Sequence, residues 1–212
     1  MTTIYFVRHG QSEANIKDVF AGWSDSPLTD LGLRQAECTA ECLKGIPFTA
    51  VYTSDLQRAR VTGEKIAGHH GLSVICHEGL RELNLGDWEL QPYHMPEDDP
   101  TYWTWKHRLY EFCAPGGETI EHLQKRMQAA VKSIVRNHPG ETVCITTHAT
   151  PIRVIEPFWA HTPNNELDSF AWVSNASYSV VRYSDDGECE LLARDVHDHL
   201  QGKLYTKLSE NA

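Results

Sequence analysis

Five residues hold most of the chemistry this sequence offers: the dipeptide Arg8-His9, then Arg58, Glu82 and His148. Guanidinium groups cannot ligate a cation and would repel one, so the set is wrong for a metal centre. It suits a phosphoryl group. Forked N–H donors match phosphate oxygens and neutralise their charge, and an imidazole can act as nucleophile. A carboxyl group can protonate a leaving alkoxide and later deprotonate water, with Glu82 the first choice and Glu89 in reserve. Phosphoryl transfer is dominated by positioning and electrostatics, so such a pocket could work with no metal or other cofactor.

Residues so distant in the chain share a site only if regular elements deliver them. Residues 4–7 (Ile-Tyr-Phe-Val) precede His9 and lack polar alternation, as a strand buried on both faces does, and Gly10 ends the run. A short strand at 50–53 precedes Arg58, with Ser54 or Asp55 as the expected cap of a helix reaching about Gly68. A strand at 73–76 leads into residues 79–89, a stretch without clean periodicity that contains Glu82 and reads as a functional loop. The β-branched run Thr142–Thr147 enters His148, and Pro151 suits the first turn of a helix through about Pro157.

Between these lie helical patterns. Leu33, Ala36, Ala40 and Leu43 follow Thr29 or Asp30 as a cap, and Ile120, Leu123, Met127, Ala130 and Ile134 mark one face of a helix stopped by Asn137-His138-Pro139-Gly140. Tyr178–Tyr183 and residues 190–194, around Asp185-Asp186-Gly187, read as a hairpin. Alternating strands and helices predict an α/β fold, a sheet covered on both faces. Ligands bind beyond the carboxyl ends of such strands, where His9, Arg58, Glu82 and His148 all fall.

With 212 residues, 41% of them apolar, the chain is expected to form a single domain over 1–212. Residues 91–117 combine Pro92, Pro96 and Pro100 with the acidic Glu97-Asp98-Asp99 and the aromatics Tyr102, Trp103 and Trp105. We expect an insertion over about 88–117 with a short helix near 101–112, a lid whose aromatics either cover an organic leaving group or bury the insertion itself. Residues 195–212 are polar and read as a peripheral tail. A net charge of -10 argues against nucleic acid or an anionic membrane as partner. No apolar run approaches the roughly 20 residues of a membrane helix, and no signal-peptide pattern opens the chain, so a cytoplasmic location is expected. The six cysteines lack CxxC spacing and read as reduced thiols, while His69-His70 and His197-Asp198-His199 read as surface or loop residues rather than metal ligands.

Several ordered landmarks then fall together: Arg8-His9-Gly10, Phe20-Ala21-Gly22-Trp23, Pro27-Leu28-Thr29, Ser54-x-Leu56-x-Arg58, Leu80-Arg81-Glu82-Leu83, Gly117-Glu118-Thr119 and Thr147-His148. This series resembles the histidine phosphatase superfamily, and more narrowly the phosphoglycerate-mutase-like phosphatases of its first branch. The resemblance implies a three-layer α/β/α sandwich with a mostly parallel central sheet. It implies His9 as the nucleophile that becomes phosphohistidine, Arg8, Arg58 and His148 as the phosphate clamp, and Glu82 as proton donor and later base. Asn15 matches a side chain that helps hold the phosphoryl group; Gln11, Ala21 and Gly22 match loop positions near the substrate. Two departures stand out: Ala149 follows His148 where the family usually has glycine, and Leu90 ends Trp88-Glu89-Leu90 where many relatives have glycine.

The expected activity is hydrolysis of a small phosphorylated metabolite through a phosphohistidine, by a monomer or homodimer. A phosphoglycerate mutase is the alternative, weakened by Asn84-Leu85-Gly86 and an acidic insertion where mutases carry a Tyr-Gly and a longer basic one. An inactive binding or regulatory module of the same fold is the third reading, and retention of all five core residues counts against it.

Overall fold

The computed structural model describes residues 1–184 and 186–206. Strands β1 (Thr2–Arg8), β2 (Phe48–Thr53), β3 (Val74–Cys76), β4 (Thr142–Thr147), β5 (Tyr178–Tyr183) and β6 (Cys189–Val196) form one sheet in the order β3-β2-β4-β1-β5-β6. β1 to β4 are mutually parallel, and β5 runs antiparallel to both its neighbours.

The central strands are buried on both faces, and their period of two sorts side chains into two cores. Ile4 and Phe6 of β1 join Val143 and Ile145 of β4 in the larger core, while Val7 and Cys144 point into the smaller one. The helices are α1 (Glu13–Lys17), α2 (Asp30–Leu43), α3 (Gln57–His69), α4 (Pro100–His107), α5 (Ile120–Asn137) and α6 (Ala149–Ala160). α2 and α3 close the smaller core with Ala40, Leu43, Ile66 and Ala67. α5 and α6 close the larger one with Leu123, Met127, Ile134, Ile152 and Ile155. The fold is the three-layer sandwich with a mostly parallel sheet. No helix among the described residues is long and apolar enough to cross a membrane.

Some boundaries differ from the sequence reading, each for a local reason. α3 starts at Gln57 behind Leu56, without a side-chain cap: of the two expected caps, Ser54 Oγ meets Leu56 N–H and His148 Nε2, and the Asp55 carboxylate takes Arg81. α6 continues past Pro157 to Ala160; it is buried along almost its whole length, and that packing outweighs the missing N–H. Leu33 is exposed, and Gly32 and Gln35 take the inner face of α2 instead. The insertion helix ends at His107, with Asp99 capping its start through the N–H groups of Thr101 and Tyr102, and a single 3-10 turn at Leu109–Glu111 follows. Within the hairpin, Asp185 lies outside the described residues.

The tail is not peripheral through residue 206. Leu200 is 2% exposed, the Gln35 amide donates to Leu204 O and Thr206 Oγ1, and Asn175 N–H donates to Thr206 O. An apolar anchor and backbone-complementing polar groups hold this polar stretch, and neither shows as periodicity. Residues 207–212 lie outside the described residues.

One backbone contact sets the entry to the site. A Cβ on Gly32 would stand 2.0 Å from Gln11 O, and one on Gly10 would stand 2.4 Å from Gly32 O. The loop after β1 therefore lies directly on the first turn of α2, where Thr29 Oγ1 accepts from Gly32 N–H. Gly32→Ala is expected to cost about 2 kcal/mol through this forced overpacking, read as a lowered urea midpoint with unchanged m.

Candidate active site

β1 and β4 pair in register from Thr3↔Thr142 to Arg8↔Thr147, so the residues that follow them, His9 and His148, emerge side by side. His9 N–H extends the ladder to Thr147 O at 3.0 Å, and Ser54 N–H does the same to Thr146 O at 3.0 Å. The imidazole centroids are 5.1 Å apart. His9 Nδ1 lies 2.6 Å from Gly10 O; a carbonyl only accepts, so Nδ1 carries the proton and Nε2 presents its lone pair. Burial, reinforced by the charges of Arg58 and Arg8, holds His9 well below the ordinary imidazole range. It is a neutral nitrogen nucleophile in a cationic setting.

His148 is wholly buried, and Ser54 Oγ lies 2.8 Å from its Nε2. Ser54 Oγ already accepts from Leu56 N–H at 3.3 Å, so its own proton can go to His148 Nε2. That tautomer leaves Nδ1–H of His148, which has no hydrogen-bond partner in the protein, as a donor beside His9.

Arg8 and Arg58 are each 1% exposed, and among the described residues neither forms an ion pair with a carboxylate. Arg8 donates from Nη1 to Val173 O at 2.6 Å, and its Nε is buried without a partner. Arg58 donates to Ser24 O at 3.0 Å and to Gly22 O at 2.7 Å. Burial lowers Arg8 to about 10, so it remains charged at neutral pH, and lowers Arg58 below its usual value. Two buried cations lacking a direct counter-ion are costly unless an anion joins them. α6 adds to the field: its first turn, at Ala149 and Thr150, presents N–H groups without intrahelical acceptors.

Glu82 lies across the same cleft. Burial is the largest influence on its carboxyl group and pushes the pKa up, against the N–H of Leu83, the charge of Arg58 and the Thr150 hydroxyl. Its backbone is held by a residue that the sequence reading passed over. Arg126 of α5 donates to the carbonyls of Gly79, Arg81 and Glu82 at 3.1, 2.7 and 2.5 Å and pairs with the buried Glu118, which in turn accepts from Asn84 N–H at 2.8 Å. Trp23 Nε1–H also donates to Glu82 O at 2.7 Å. Arg126→Ala leaves Glu118 buried without its counter-charge; we expect a loss of about 3 kcal/mol in chemical denaturation. Glu89 is occupied elsewhere, accepting from Trp23 N–H at 2.7 Å and Ser24 Oγ at 2.5 Å.

The structure brings Asn15, Ala21, Gly22 and Ala149 to the cleft wall. Asn15 Oδ1 accepts from Ser12 N–H, Ser12 Oγ and Asn175 Nδ2, which leaves its NH2 group as the free donor. Gly22 has φ +51, and a Cβ there would sit 2.5 Å from the Glu89 carboxylate. Gln11 is not among the residues lining the cleft: its side-chain Oε1 accepts from Thr29 Oγ1 at 2.9 Å, which braces the loop. The two departures from the family pattern have different consequences. Ala149 is an ordinary first-turn helical residue, so no glycine is required, whereas Leu90 holds φ +64, the left-handed conformation that favours glycine.

The remaining walls come from residues that motif reading missed. Tyr93, half-buried and with its phenol pushed up to about 12, chiefly by desolvation, faces the fields of Arg8, Glu82 and Arg58. Phe20, Leu85, Trp105 and Trp172 complete the organic side. Of the insertion aromatics, Trp105 lines the cleft, Tyr102 is buried and Trp103 is 47% exposed. Of the other histidines, His69 Nε2 meets Glu37, His197 Nδ1 the Asp195 carbonyl, and His199 Nε2 Thr39 Oγ1.

A doubly covered parallel sheet with an anion pocket at its strand ends, built on paired imidazoles and two buried guanidinium groups, defines a class of phosphoryl-handling α/β proteins. The chain matches the histidine phosphatase superfamily (branch 1) over residues 4–195 and belongs to that family. It is 33% identical over 154 residues, 70% of each chain, to a probable phosphoglycerate mutase GpmB of Yersinia pestis. Among solved structures it is similar to YhfR of Bacillus stearothermophilus, with a TM-score of 0.88 and 30% identity over 94% of this chain and 99% of that one. A phosphoserine phosphatase from Entamoeba histolytica shares the fold with a TM-score of 0.81 and 25% identity, over 94% of this chain and 100% of that one.

Proposed function

We propose that the protein is a phosphomonoesterase that works without a metal, through a phosphohistidine on His9. The observation that carries this reading is the pairing of a neutral, buried His9, its Nε2 free, with two buried guanidinium groups that lack a carboxylate counter-ion. The phosphoryl oxygens lie among Arg8, Arg58, Asn15 and the His148 Nδ1–H. His9 Nε2 attacks phosphorus, the ester P–O bond breaks, and protonated Glu82 delivers its proton to the departing oxygen. The Glu82 carboxylate then takes a proton from water, whose oxygen attacks phosphorus as the P–N bond breaks. Phosphate leaves, and both groups return to their starting states.

The same first step serves a mutase, and the resemblance to the probable mutase GpmB keeps that reading open. A mutase must hold a product phosphoglycerate long enough to return the phosphoryl group. The cleft has no cation beyond Arg8 and Arg58 among the described residues that line it, so hydrolysis is favoured. The two readings separate in one assay. We expect release of inorganic phosphate from phosphomonoesters that disappears in His9→Ala, and no interconversion of 3- and 2-phosphoglycerate above that background. Interconversion faster than phosphate release would make the protein a mutase.

A further inference from the structure

The cleft has two unlike ends, and the second of them describes the alcohol. Resting on the phosphatase reading, we infer that the substrate is the phosphate ester of an uncharged alcohol bearing an aromatic or heteroaromatic ring, which packs against the wall formed by Trp105, Trp172 and Phe20.

Charge is the first argument. A carboxylate or second phosphate on the leaving group would need its own cation or several donors. Arg8 and Arg58 flank His9 and serve the phosphoryl end. The neighbouring arginines are committed: Arg81 pairs with Asp55, Arg126 with Glu118, and Arg153 lies over the Trp172 ring at 4.1 Å with Asp168 at 3.8 Å. Beyond Arg8 and Arg58, no guanidinium or ammonium group is among the described residues that line the cleft.

The second argument is what stands there instead. Trp105 and Trp172 stack with centroids 5.7 Å apart and planes 27° from parallel, and Phe20 meets Trp105 edge-on at 5.4 Å and 83°. Trp105 is 7% exposed and lines the cleft.

Third, the wall is anchored to the phosphate clamp. Arg8 Nη1 donates to the carbonyl of Val173, the residue after Trp172, at 2.6 Å, and the next residue, Ser174, donates its N–H to Asp195 at 2.7 Å. Arg153 stacks on the ring itself. Trp172 is therefore fixed relative to the phosphoryl end from two directions, as a specificity wall must be.

The test compares four esters of primary alcohols, so that leaving-group basicity stays similar: benzyl phosphate, 3-pyridylmethyl phosphate, O-phosphoserine and 3-phosphoglycerate. We expect kcat/KM for the two ring-bearing esters to exceed that for the two carboxylate-bearing ones by about tenfold or more. We expect Trp172→Ala to bring the ratio toward one, chiefly by raising KM for the benzyl ester, and Trp172→Phe to keep most of the preference. If His9-dependent hydrolysis of phosphoserine or 3-phosphoglycerate equals or exceeds that of benzyl phosphate, the inference fails while the phosphatase reading stands. A ratio unmoved by Trp172→Ala also overturns it. No His9-dependent hydrolysis of any ester overturns the phosphatase reading itself, and this inference with it.

Discussion

His9→Ala is expected to lower kcat for phosphomonoester hydrolysis by at least about 10⁴-fold while changing the affinity for inorganic phosphate only a few-fold. The asymmetry follows from the protonation state. His9 is neutral in the free enzyme because burial and the charges of Arg58 and Arg8 hold its pKa down, so removing it takes no positive charge from the pocket. Arg8 and Arg58, each 1% exposed, keep their charge and their carbonyl anchors at Val173, Ser24 and Gly22. What disappears is the Nε2 lone pair, positioned because Nδ1 donates to Gly10 O. Rapid acid-free quench of the wild type with labelled substrate should trap a base-stable, acid-labile phosphoryl group, absent from His9→Ala. Calorimetric titration with phosphate supplies the binding half. A variant that retains more than a hundredth of the wild-type kcat would remove His9 from the role of nucleophile.

The ends of the parallel strands were legible because each is a short apolar or β-branched run with a chemically distinctive residue just beyond it. Which strands lie side by side was not. The β1–β4 pairing that makes His9 and His148 neighbours joins residues more than a hundred positions apart, and the sequence carries no local mark of it. The loop that carries Glu82 shows the same limit. Leu80-Arg81-Glu82-Leu83 was readable as a motif, yet its position depends on Arg126, which in sequence is one polar residue of a strongly amphipathic helix. Gln11 shows the reverse case: its place beside His9 suggested a substrate contact, and nothing in the sequence signals that the first turn of α2 lies close enough for Thr29 to donate to its side chain. The aromatic wall needed both a register and a packing partner. Nothing in the run Phe170-Ala171-Trp172-Val173 announces that Arg8 holds it by a backbone carbonyl.

Glu82→Gln is expected to lower kcat/KM by about 10²- to 10⁴-fold and to remove the basic limb of its pH profile. Glutamine can still accept from the Leu83 N–H that now fixes the carboxyl group, so the loop stays in place and the loss is one of proton transfer. In the free enzyme the productive state has His9 neutral and Glu82 protonated. His9 is held well below its ordinary value and Glu82 is raised above its own, both chiefly by burial, so this state is populated at mildly acidic pH and declines as Glu82 ionises. The same shift acts on stability. Between the ordinary glutamate pKa and the raised folded one, the native state holds a proton that the unfolded chain has released. The relative stability from this group is therefore fully present below the unfolded pKa and is lost as pH rises through the folded pKa. Glu82→Gln has no carboxyl group to titrate. Its unfolding free energy should fall less than that of the wild type as pH rises through this window, in urea titrations on both proteins. A wild-type activity that keeps its basic limb in Glu82→Gln would assign proton delivery to another group. An identical pH dependence of stability in the two proteins would mean that the native carboxyl group is not raised.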